Sequence, residues 1–145
     1  MVQETVKASR RKQALEAELV RAAAYRTAFR RFLYRTDMAA NSAGLTSQRY
    51  DLLLQIASAG AVRVTDLCER LQLRQTAVTE LVKRAEEAGL LEREPSSEDA
   101  RSWVLRLTPE GERRLMSAFE ALRDDRAALA EAFSEVDAHF RVATG

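Results

Sequence analysis

Between Thr65 and Leu107 the chain changes hydrophobic period with almost no spacer. Two stretches, Thr65–Leu71 and Gln75–Ala88, read as helices joined by the tight connection Gln72-Leu73. The second has Val78, Leu81, Val82 and Ala85 on one side and is closed by Gly89. Two strand-length stretches follow at once, Leu90–Glu94 and Trp103–Leu107, around the polar loop Pro95-Ser96-Ser97-Glu98-Asp99. Trp103, Leu105 and Leu107 fall on one face at period two. Helices this short are marginal alone, so they must bury their apolar stripes against neighbours. Few folds accept two short helices and a hairpin in so little chain.

The flanking segments are helical. The first helix is expected from about Lys7 to Asn41, with Leu15, Leu19, Ala22, Phe29 and Leu33 on one stripe. Asn41-Ser42-Ala43-Gly44 reads as a stop, and Thr46 as the N-cap of a second helix with Tyr50, Leu53, Leu54 and Ala57 on its apolar side. Gly60 ends that helix, and Thr65 is expected to cap Asp66–Leu71. Thr108 caps a long fifth helix with Pro109 at its first position, where a missing N–H costs nothing, and Leu115, Phe119, Leu122 and Leu129 mark its buried side. Ser134 is expected to start a last short helix containing Val136 and Phe140. The fold class is mostly α with a small β-hairpin wing. A winged helix-turn-helix lobe, 45–111, is flanked by long terminal helices, 1–41 and 112–145, in a single domain.

Composition excludes several functions. At 145 residues, 46% apolar and 31% charged, the chain reads as globular. No apolar run approaches the ~18–20 residues of a membrane span, and the polar start, Met1 to Lys12, lacks a signal-peptide stretch. The cytoplasm is the expected location. One cysteine, Cys68, excludes an internal disulfide, and one histidine, His139, leaves little for a metal centre or catalytic triad. Cys68 falls at a position that reads as core, where a free cysteine is usually buried. With no nucleophile–base pair, metal cluster or phosphate loop, an enzyme has no support, and no cofactor is expected. Net charge is only +1, but residues 1–35 carry a balance of +6 and residues 74–106 one of −1.

The stretches LTSQRYDLLLQI (45–56), VTDLCERLQLRQTAVTELVKR (64–84) and AGLLEREPSSEDARSWVLRLTPEG (88–111) resemble the MarR family of bacterial regulators. Asp99-x-Arg101 followed by Leu107-Thr108 and Gly111 is the most specific part. The resemblance implies a homodimer with intertwined terminal helices, with the 75–88 helix in a major groove of a pseudo-palindromic operator and the wing over the adjacent minor groove. It also implies release of DNA by a small aromatic or phenolic effector. Arg74 stands where the family usually has a short polar N-cap, and Glu80 where it often has a basic residue. With the chain ending at Gly145, the last helix is expected to be short, and the long first helix to carry more of the dimer contact.

Gln75, Thr76 and Thr79 lie on the outward face of the second motif helix, where Gln can read an adenine edge and Thr a base or phosphate. Glu80 there repels phosphate or accepts from a cytosine amino group. Lys83 and Arg84 are candidate phosphate clamps, with surface pairing to Glu80, Glu86 or Glu87 as the alternative. Arg101 suits a narrow minor groove, and Asp99 is expected to hold that arginine or its loop. Phe29, Phe32 and Tyr50 are candidate effector contacts, with Arg26, Arg30 or Arg49 for a carboxylate, though aromatics at helical spacing also serve as plain core. The leading function is a sequence-specific transcription regulator, usually a repressor. The alternative is a winged-helix module or anti-repressor that binds another protein and not DNA.

Overall fold

The computed structural model describes residues 1–144, with side chains through Ala138. His139 and the Phe140 expected in the last helix thus have side chains outside the described residues. Elements follow in the order α1 (Val2–Ser42), α2 (Ser47–Ala59), α3 (Val64–Leu71), α4 (Gln75–Glu87), β1 (Leu91–Pro95), β2 (Trp103–Leu107), α5 (Pro109–Ala121) and α6 (Arg123–Thr144). The chain is mostly helical with one antiparallel hairpin, the expected fold class. No described helix is long and apolar enough to cross a membrane.

The chain divides into two compact units. One comprises Met1–Arg35 and Arg123–Gly145; the other is Thr36–Leu122, so the latter takes in the end of α1 and all of α5 besides the expected lobe. The boundary falls inside α1, between Arg35 and Thr36.

The Thr36–Leu122 unit holds the hydrophobic core. Leu52, Leu53 and Ile56 of α2, Leu67 of α3, and Val78, Val82 and Ala85 of α4 are fully buried, with Leu90 and Leu105 closing one side. Two expected caps form. Thr46 Oγ1 accepts from the Arg49 N–H at 3.1 Å, and Thr108 Oγ1 from the Gly111 N–H at 3.1 Å, with Pro109 in the first turn of α5.

Three expectations are corrected. α3 starts at Val64, with Arg63 and not Thr65 as its N-cap. Val62 pairs antiparallel with Leu105 through two backbone hydrogen bonds, so an isolated β-bridge fixes where the helix begins. The helix after Thr108 ends at Ala121, with Leu122 as C-cap, and α6 starts at Arg123 instead of Ser134. Asp124 and Asp125 occupy its first turn, the signal that would have located the break. The last helix is therefore 22 residues rather than a short piece. Third, the hairpin starts at Leu91, and Trp103 does not share the burial of Leu105: it is 57% exposed.

In the other unit α1 and α6 meet through Tyr25, whose ring stacks edge-on against Phe133 at 5.1 Å and whose hydroxyl donates to Asp137. That hydrogen bond, with a smaller share from burial, raises the Tyr25 phenol above its ordinary value. Arg35 Nε donates to Asp125 at 3.2 Å. Much of the apolar stripe of α1 stays open: Leu15, Leu19, Phe29 and Leu33 are all about half exposed or more.

Candidate nucleic-acid interface

α4 is positioned from behind. Val78, Val82 and Ala85 anchor it in the core, so the opposite face must point outward. Gln75, Thr76, Thr79, Glu80, Lys83 and Arg84 are all exposed on it. Gln72, in the left-handed region at φ 54°, closes α3, its backbone N–H and side-chain amide both reaching Glu69 O. Arg74 then begins α4 as an N-cap with no side-chain hydrogen bond. The free first-turn N–H groups and the positive end of the helix dipole are left facing outward beside Gln75 and Thr76.

Much of the charge on α4 and around the hairpin is self-paired. Arg84 Nε donates to Glu80 Oε1 at 3.0 Å across one helical turn. Arg93 pairs with Glu86 at 2.9 Å, Arg106 with Glu94, and Arg63 with Glu98 at 3.8 Å. Lys83, Arg74 and Arg101 make no ion pair among the described residues. An exposed i,i+4 pair contributes only ~0.3–0.5 kcal/mol, so the Glu80–Arg84 pair yields readily to a stronger partner.

The wing is a pinned loop. Asp99 Oδ1 accepts from the Arg101 backbone N–H at 3.0 Å, while the Ser102 N–H and hydroxyl both donate to Asp99 O. Ser96 N–H donates to Ser102 O and closes the base. Asp99 therefore fixes the backbone that carries Arg101, not its guanidinium, which stays exposed at the tip.

Behind the wing, Thr108 and Gly111 clamp the turn after α4. Thr108 Oγ1 donates to Gly89 O at 2.6 Å, and its N–H to Leu90 O at 3.1 Å. A Cβ on Gly111 would lie 2.2 Å from Leu90 O, so only glycine lets the two backbones approach. The Leu107-Thr108 and Gly111 motif thus holds the wing and α4 in register.

Residues 43–102 match the family model described as MarR family. Over those residues the winged helix of this chain is similar to that of the MarR family. The HTH-type transcriptional regulator FarR of Neisseria gonorrhoeae is 33% identical over 73 residues, half of each chain. The chain thus spans about half the length of the curated relatives it matches. A mutant of MarR from E. coli, solved in complex with operator DNA, superposes with a TM-score of 0.66 at 17% identity, covering 80% of this chain and 87% of that one. NadR in complex with 4-hydroxyphenylacetate superposes at 0.66 with 24% identity, covering 81% and 87%. At these identities the two structures establish the shared fold.

The candidate effector residues fall into both units. Arg26 and Phe29 line a groove of about 430 Å³ with Tyr25, Arg30, Leu33 and Phe133. Phe32 is half-buried on the same helix but does not line that groove. Tyr50 is part of the lobe's core at 6% exposure, and Arg49 beside it is half-buried.

Sequence reasoning missed the Val62–Leu105 bridge and the exposure of Trp103. Prediction of the Arg84 pairing was available from its spacing to Glu80; the Arg106 pairing with Glu94 needs the strand register.

Proposed function

We propose that the chain is a DNA-binding transcription regulator that acts as a homodimer in the cytoplasm, a repressor released by a small aromatic or phenolic effector. The observation that carries this reading is the pairing of an outward polar α4 face with an Arg101 wing held by the Asp99 turn, within a MarR-family lobe. In it, Gln75, Thr76 and Thr79 read bases, Lys83 and Arg84 hold phosphates, and Arg101 enters the minor groove. The operator complex of the E. coli relative supports the DNA partner. The phenolic acid bound to NadR supports the effector class, and the Tyr25–Phe133 groove with Arg26 and Arg30 offers aromatic surface and guanidinium donors for such a molecule.

The test is a salt titration with a mixed-sequence duplex of about 30 base pairs. Binding at low salt that falls linearly in log–log form with increasing salt supports DNA binding through counterion release. Absence of binding at low salt moves the protein-binding reading ahead, for which the self-paired arginines and the −1 balance of residues 74–106 speak.

A further inference from the structure

Trp103 is the one tryptophan of the chain, and it is 57% exposed. Register fixes which way it faces. Leu91↔Leu107, Arg93↔Leu105 and Pro95↔Trp103 are directly opposed across the hairpin, so these six side chains share one face. Leu91 and Leu105 on that face enter the core, and Arg93 reaches Glu86 of α4. Glu94, Val104 and Arg106 project from the other face, lining a separate polar cleft with Arg63 and Asp66. The indole therefore stands on the α4 side of the hairpin, one same-face step, about 7 Å, beyond Leu105 toward the loop. Arg101 at the wing tip is two residues away. The cross-strand partner of Trp103, Pro95, is also exposed, offers no N–H and borders the polar cleft as well, so the indole forms an apolar step flanked by polar residues.

We propose that Trp103 packs on the sugar–phosphate wall of duplex DNA between the groove taken by α4 and the groove under the wing. This rests on the DNA-binding reading above and adds a contact to it. A deoxyribose ring presents apolar surface, and the indole N–H, a donor only, suits a phosphate oxygen beside it. The step is continuous with Arg101 on one side and faces α4 on the other, which favours DNA over a protein partner. The contact is uncharged and sequence-independent, so it sets the depth of the wing and not the base read.

Because Trp103 is alone, its emission reports this site only. The full chain is titrated with a mixed-sequence duplex of about 30 base pairs, following Trp emission and the anisotropy of labelled DNA together. The emission should shift at the same DNA concentrations as the anisotropy. Trp103→Ala should weaken binding about tenfold on all sequences with the salt slope unchanged. Trp103→Phe, which keeps the ring and loses the donor, should fall between. Normal anisotropy with unshifted emission and a wild-type Trp103→Ala affinity overturns the contact and leaves DNA binding standing. Emission that instead shifts with protein concentration alone assigns the indole to a contact between copies and also overturns it. If the wild-type chain binds no duplex at low salt, the contact and the reading beneath it fall together.

Discussion

In the proposed DNA-binding reading, Glu80 sets stability against recognition. Its carboxylate faces outward and holds Arg84, so it both repels phosphate and occupies the nearest cation. Glu80→Gln should release Arg84, tighten binding to random duplex several-fold and steepen the salt slope by about one unit. A change confined to one operator position would instead assign Glu80 to a cytosine amino group. Arg74 poses the complementary case. It caps α4 without a side-chain acceptor, whereas a serine hydroxyl there would satisfy a first-turn N–H. Arg74→Ser should stabilise the lobe by ~0.5–1.5 kcal/mol in urea unfolding, while reducing DNA affinity through one lost cation. An unchanged affinity would show that Arg74 does not reach phosphate. The helix-end charge and the missing cap were both visible in the sequence, because capping depends on a single residue type.

Elements that depend on local chemistry were legible, and those that depend on distant partners were not. Thr46, Thr108, Pro109 and Gly60 mark real ends because each satisfies or tolerates a backbone need within four residues. The start of α3 was misplaced because Val62 is fixed by Leu105, 43 positions away. Trp103 shares the face of Leu105 and Leu107 as its alternation implies, yet the hairpin extends past the core before reaching it. The α5–α6 break has neither Gly nor Pro and turns on Leu122 alone. Within the site, the outward face of α4 followed from its apolar period, but the role of Asp99 as a backbone acceptor needed coordinates. Two predictions belong to α5. Gly111→Ala gains ~1 kcal/mol of helix propensity but drives a Cβ into Leu90 O, so a net loss of ~1–3 kcal/mol is expected in urea unfolding. Glu110 accepts from Arg113 and Arg114, which hold its carboxyl down to about 2, and Arg114 also donates to Gly44 O. A carboxyl lowered on folding stabilises above its ordinary value and loses that contribution as pH falls. The window is therefore from about 4.5 down to about 2. Glu110→Gln should be less stable than wild type at pH 7, with the gap closing toward pH 2; a gap constant across that range would remove Glu110 from the acid response.

At the scale of the whole molecule, the question is what covers the open stripe of α1. Leu19 at 61% and Leu33 at 50% exposure, with Leu15 and Phe29, leave a long apolar face open among the described residues. In the proposed dimer a second copy covers it, and two-fold symmetry makes the patch self-complementary. Symmetry also fixes the target. In such a dimer two copies of α4 are expected to enter successive major grooves on one side of the duplex, with half-site centres ~34–36 Å apart, so the operator should be an approximate palindrome. Linking two half-site contacts makes the second intramolecular and multiplies affinity by ~10²–10⁴. Removing residues 1–20 takes away Leu15 and Leu19 but no residue of the Thr36–Leu122 unit. The truncated chain should keep the helical signal of its lobe, sediment as a monomer at micromolar concentration and bind an isolated half-site as well as wild type. Its preference for the full palindrome over the half-site should disappear. A truncated chain that still sediments as a tight dimer would place the contact elsewhere, on the remainder of α1 or on α6. One that is monomeric yet keeps its palindrome preference would show that the pairing of half-sites comes from DNA-bound contacts between lobes and not from the terminal helices.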